Sequence, residues 1–180
     1  MTLHRLDNSR WGFASNCFVC EASNPAGLRI SFVHDDEAEV VTARLCLGDA
    51  FSGAPSYVHG GVVLAVMDEA MAWAAIAIAH TWALTRETTA TFMRPVLVDQ
   101  PHTVVARLEE RGEDGTLALS AEVFRAASPE SGGEAERCAE ARATFVALSA
   151  GAARAAVGEA PGPDHGSYLR QRPDSPIPSP

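Results

Sequence analysis

Between residues 60 and 79 almost every position is apolar: Gly60-Gly61-Val62-Val63-Leu64-Ala65-Val66-Met67, then Asp68-Glu69, then ten further apolar residues from Ala70 to Ala79. A stretch of this length with no polar face predicts a helix buried on every side. His59-Gly60-Gly61 is the turn that opens it. On either side the apolar period drops to two. Residues 29–33 and 39–47 read as the arms of a hairpin around His34-Asp35-Asp36-Glu37, and 48–58, with Gly53 and Pro55, read as the loop into the helix. The Thr-rich run 85–93 halts at Arg94-Pro95, a strand end. Residues 102–110 alternate, and after the turn Gly112-Glu113-Asp114-Gly115 the run 116–125 puts Leu117, Leu119, Ala121 and Val123 on one face. Residues 138–148 alternate again through Ala139, Ala141, Ala143, Phe145 and Ala147. One helix followed by consecutive strands predicts an α+β domain with an antiparallel sheet of five to six strands. The helix is long enough to lie across the concave side of that sheet. Its other sides and the sheet edge then need a partner, so an oligomer is expected.

Composition narrows this picture. A chain of 180 residues, 47% hydrophobic and 21% charged, suits one globular domain. Asp68 and Glu69 in mid-helix argue against a membrane span. The opening MTLHRLDNSRWGF lacks the apolar core and small-residue cleavage site of a signal peptide, so a cytoplasmic location is expected. The formal charge of −9 argues against nucleic-acid binding. The sequence contains no lysine, which excludes a Schiff-base lysine and a P-loop and leaves Arg, His and backbone N–H to meet any phosphate. From about Gly151 the chain turns to Ala, Gly, Pro and Ser and reads as a disordered tail. The expected division is an N-terminal extension over 1–28, a folded domain over 29–150 and the tail over 151–180.

The two central acids carry the candidate chemistry. Burying an ionised carboxylate is costly, so one placed in such a helix usually has a use. Successive helical residues sit about 100° apart, so Asp68 and Glu69 cannot both face one site. Asp68 shares a stripe with Gly61, Leu64, Met71 and Ala72, and Glu69 shares one with Val62, Ala65 and Trp73. Gly60 and Gly61 allow a ligand to approach the backbone, where the first N–H groups of a helix have no internal partner and suit an oxyanion. His59 caps the helix, holds a loop or acts on substrate. Cys17-Phe18-Val19-Cys20 has zinc-ligand or redox spacing, but no second Cys-x-x-Cys and no His pair follows. Two thiols without a metal are therefore expected.

His59-Gly60-Gly61, an acid nine residues after the His, and a Thr-rich strand closing in Arg94-Pro95 together resemble the hotdog-fold acyl-CoA thioesterases. The similarity is to the branch of the phenylacetate-pathway and 4-hydroxybenzoyl-CoA thioesterases. Cys17-Phe18-Val19-Cys20 with Asn24-Pro25-Ala26-Gly27-Leu28 resembles a bacterial subgroup of that superfamily. The likeness runs from about Asn16 to Leu148. It implies hydrolysis of an acyl-CoA or carrier-bound thioester, with coenzyme A as part of the substrate and no separate cofactor. It also implies a homodimer or tetramer with active sites between subunits. Asp68 matches the general base or nucleophile, the Gly60 N–H matches the group that polarises the carbonyl, and Thr85 matches a hydroxyl from the second subunit. Gly61, Leu64, Met67, Met71 and Glu69 would surround the acyl group, and Arg94 would meet the phosphates. Some members place Asn or Gln six residues before the His; here that position is Gly53. A hotdog enoyl-thioester dehydratase and a non-catalytic acyl-thioester-binding protein are the alternative readings.

Overall fold

The computed structural model describes residues 2–8, 15–126 and 135–157. Along the chain run β1 (Leu3–Leu6), β2 (Phe32–Asp35), β3 (Val40–Leu45), a 3-10 turn (Asp49–Phe51), β4 (Ser52–Ala54) and β5 (Tyr57–Val58). They are followed by α1 (Gly60–Ala77), β6 (Ala83–Phe92), β7 (His102–Arg111), β8 (Thr116–Arg125), β9 (Glu136–Ala147) and α2 (Ala150–Val157). Among the described residues seven strands form one sheet in the order β1-β2-β3-β7-β8-β9-β6, and all the neighbouring pairs are antiparallel. β4 and β5 make a separate small hairpin.

The expected α+β hotdog arrangement is present, with one strand more than anticipated. The extra strand is β1, whose four residues bury only Leu6 and so carry no readable alternation. The alternation in β8 runs as expected, burying Leu117, Leu119, Ala121 and Val123. In β9 the pairing shifts between Val123 and Phe124, so that Cys138 and Ala139 are both buried next to each other. The segment 158–180 of the expected tail lies outside the described residues, while α2 occupies 150–157 and buries Ala153.

α1 lies against β7, β8, β3 and β6 and forms the core with them. Ala70, Ala74 and Ala75 on the helix and Ala106 and Ala121 on the sheet have no exposed surface. Small residues at facing positions bring the helix axis close to the sheet, and Val66, Met67, Met71, Val104 and Phe145 fill the remaining space. Its C-terminal carbonyls are held from outside the helix, because the Arg111 guanidinium donates to Ala79 O at 3.0 Å and to Ile78 O at 2.8 Å. A cation at a helix C-terminus also complements its dipole. The helix thus stays fixed along its length while both ends of the sheet order differ: β6 is a ten-residue edge with Leu84 and Phe92 at least half exposed.

Candidate active site

α1 sends its two carboxylates in different directions. Asp68 is partly exposed and accepts a hydrogen bond from Thr85 Oγ1 at 2.7 Å. Glu69 faces the Cys-x-x-Cys bend, where one oxygen lies within 4.8 Å of both sulfurs. The 100° step between neighbours is what separates them. Thr85 meets Asp68 of its own chain. The short connection from Ile78 to Trp82 returns the chain beside α1, so β6 presents its first residues to mid-helix.

At the other end of the helix, His59 is the N-cap residue and its Nδ1 accepts from Gly61 N at 2.9 Å. The His59 carbonyl takes the N–H groups of Val62 and Val63 at 2.9 and 3.1 Å. Among the described residues the Gly60 N–H has no acceptor, so it is the first-turn donor left for a ligand. A Cβ on Gly61 would come within 3.1 Å of the His59 ring, so this glycine keeps the cap in place. A Cβ on Gly53 would lie 3.1 Å from His59 Cα and 3.2 Å from its ring. Gly53 is thus a close contact of β4 with the capping histidine.

Several expected substrate residues lie elsewhere. Met67 and Met71 have no exposed surface and belong to the core beneath the helix, because the sheet covers that face. Leu64 is partly exposed and remains available to an acyl group. Glu69 points to Cys17 and Cys20 instead of to the Asp68 side. Arg94 is exposed but engaged, with Nε 2.5 Å from Glu136 Oε1 and a guanidinium N–H on the Arg137 carbonyl at 3.3 Å.

The cysteine bend is a folded unit of its own. Cys17 Sγ accepts the N–H groups of Val19 at 3.3 Å and Cys20 at 3.4 Å, and Asn8 Nδ2 donates to Cys20 Sγ at 3.5 Å. Buried Asn24 donates to the carbonyls of Asn16 and Cys17 at 3.2 and 3.4 Å and accepts from Ala26 N at 3.0 Å. The hydrogen bond from Cys20 and the two backbone donors lower the Cys17 thiol to about 5. The same pairing with Cys17, together with burial, raises Cys20. Burial pushes Glu69 up to about 7, with the neighbouring Cys17 adding to it. Nothing in the sequence links Glu69 to the cysteines, since the contact arises only when the N-terminal segment folds over α1.

Residues 56–126 match the family model of the thioesterase superfamily. Among solved structures, a thioesterase superfamily protein superposes with a TM-score of 0.63 at 18% identity, covering 76% of this chain and 64% of its own. The acyl-CoA hydrolase of Staphylococcus aureus, in complex with butyryl coenzyme A, coenzyme A and coenzyme A disulfide, gives 0.59 at 18% identity over 64% and 70% of the two chains. The PaaI protein of the E. coli phenylacetic acid degradation operon gives 0.51 at 18% identity over 59% and 75%. No curated protein matches the sequence. This chain spans less than two thirds of the first of these structures. The resemblance to the hotdog-fold thioesterase superfamily is borne out, and its matched segment contains the His-Gly-Gly turn, Asp68 and Thr85.

Proposed function

We propose that the chain hydrolyses an acyl-CoA or carrier-bound thioester to the free acid and thiol, with Asp68 as general base or nucleophile. The observation that carries this reading is the 2.7 Å bond from Thr85 to Asp68 on a helix whose Gly60 N–H lacks an acceptor. The Staphylococcus aureus acyl-CoA hydrolase has been altered to Ala at an Asp and at a Thr that stand 17 residues apart. Asp68 and Thr85 have the same separation.

Helix geometry shapes the site further. Eight residues separate Gly60 from Asp68, a rise of roughly 12 Å at 1.5 Å per residue. One carbonyl cannot touch both groups of a single chain. In a homodimer, the Asp68–Thr85 pair of one subunit faces the helix N-terminus of the other. The thioester oxygen then rests on Gly60 of the partner subunit, where the helix dipole favours the developing negative charge. Asp68 takes the proton of an attacking water, or attacks the carbonyl to give an anhydride that water opens. The exposed edge of β6, with Leu84, Phe92 and nearby Met93, is the surface that a second copy would cover.

Asp68→Asn should lower kcat by roughly 10²–10⁴-fold on a panel of acyl-CoAs of differing acyl group, read as thiol release. Glu69→Gln should keep most of the turnover. Full activity in Asp68→Asn, with the loss appearing in Glu69→Gln, would overturn the assignment. Tight binding of acyl-CoA without thiol release in the wild type would make the chain a binding protein.

A further inference from the structure

Cys17, Cys20 and Glu69 take no part in the proposed hydrolysis, yet their two sulfurs and a carboxylate oxygen lie within 4.8 Å of one another. We propose that these three residues bind one divalent transition-metal ion of the zinc type, fastening the segment before β2 to the middle of α1.

The donor set argues for the metal class. Two thiolates and one carboxylate suit zinc and its neighbours, whereas calcium and magnesium prefer all-oxygen sites. Ligand atoms on one tetrahedral zinc stand roughly 3.5–3.8 Å apart, so the group needs to contract by about 1.3 Å at most. All three groups become anions when ionised, and among the described residues no cation pairs with Glu69. A divalent ion supplies that missing charge. Three protein ligands leave a fourth position for water. A cavity of about 30 Å³ lined by Cys20, Asp7, Asn8 and Trp73 adjoins the bend, with room for one such molecule.

The bend is shaped independently of any ion. Backbone N–H groups on Cys17 Sγ favour the thiolate, and Leu28 N and Ile30 N bond the carbonyls of Phe18 and Val19 at 2.8 and 2.9 Å. A Cβ on Gly27 would sit 2.7 Å from the Phe18 carbonyl oxygen, so the segment leading to β2 presses directly on the bend. The bend therefore presents its sulfurs toward α1 without help from a ligand. Binding releases the thiol protons, and any proton on Glu69, to solvent, with no change of oxidation state.

The test is metal binding by the full chain, freed of metal with a chelator under reducing conditions. Zinc alone is titrated against a chromophoric chelator, and cobalt alone is followed by its absorption. We expect one ion per chain, a near-ultraviolet thiolate-to-cobalt band, and zinc protection of Cys17 and Cys20 from a thiol reagent while exposed Cys46 still reacts. Cys17→Ser and Cys20→Ser should abolish the band, and Cys46→Ser should change nothing. Glu69→Gln should weaken zinc by about 10- to 100-fold. Failure to bind zinc at micromolar concentration would overturn the proposal, as would unaltered affinity and cobalt spectrum in Glu69→Gln. Should the Cys variants not fold, wild-type protection and Glu69→Gln still decide. None of these readouts depends on thioester turnover.

Discussion

Thr85 bonds one oxygen of Asp68, and among the described residues the other has no partner. A carboxylate held in this way keeps its free oxygen aimed while the hydroxyl removes one degree of freedom. Thr85→Val preserves the shape of the side chain and deletes the donor. A hydrogen bond to a charged group contributes about 1.5–3 kcal/mol, so kcat should fall roughly 10- to 100-fold. Thiol-release kinetics should show KM little changed, because Thr85 sits on the exposed part of β6. This pair was half legible in the sequence. Asp68 is singled out by helical spacing from His59, whereas the direction of Thr85 depends on how the 78–82 connection turns, and no periodicity records that.

At the scale of elements, the bend before β2 is held together by its own backbone contacts. Gly27 is the contact within it that tolerates least. Its Cβ would lie 2.7 Å from a backbone oxygen, and backbone yields less readily than a side chain. Gly27→Ala should cost about 1–3 kcal/mol, measured as a lower midpoint in urea unfolding. Sequence alternation located β7, β8 and β9 because each has one face on α1 and one face to solvent. It did not locate β1, which is too short to show a period, nor the extra residue at Cys138, which the register with β8 alone reveals. Met67 and Met71 were placed at the substrate on the strength of their neighbours in sequence. They lie in the core because α1 is covered by the sheet on that side.

For the whole molecule, the proposed hydrolysis requires a second subunit, because Gly60 and Asp68 are too far apart on one helix to meet one carbonyl. Gly60→Pro removes the N–H at the first helical position, where proline is well accommodated. Alone, it should be as inactive as Asp68→Asn. Co-expressed, the two variants should form mixed dimers holding one intact site, and activity should return. No recovery in mixed dimers, verified by mass, would overturn the pairing of Asp68 with Gly60 of the partner subunit. Stability should depend on pH through two buried histidines. Burial lowers both His34 and His102 below the ordinary value of 6.5, and among the described residues neither ring nitrogen of His34 has a hydrogen-bond partner. The unfolded chain then holds these protons more tightly than the folded one. Their contribution is fully present above about pH 6.5 and is lost as the pH falls below it toward the folded values. Between pH 8 and 5, His34→Gln should therefore lose less of its urea midpoint, or gain more, than the wild type, whose buried Glu69 acts in the opposite direction.

The sequence by itself determined the buried helix, its His-Gly-Gly opening, the alternating strands packed on it and the divergence of Asp68 from Glu69. Each of these is a local consequence of residue spacing, since 3.6-residue and two-residue periods fix which side chains share a face. Only the tertiary structure decided the partners. Thr85 reaches Asp68, His59 presses on Gly53, and Cys17 and Cys20 gather around Glu69 because segments distant in sequence close on one helix. The thiols read as idle along the chain acquire a carboxylate only in the fold. Such meetings depend on the path of loops between elements, and a one-dimensional pattern carries no record of that path.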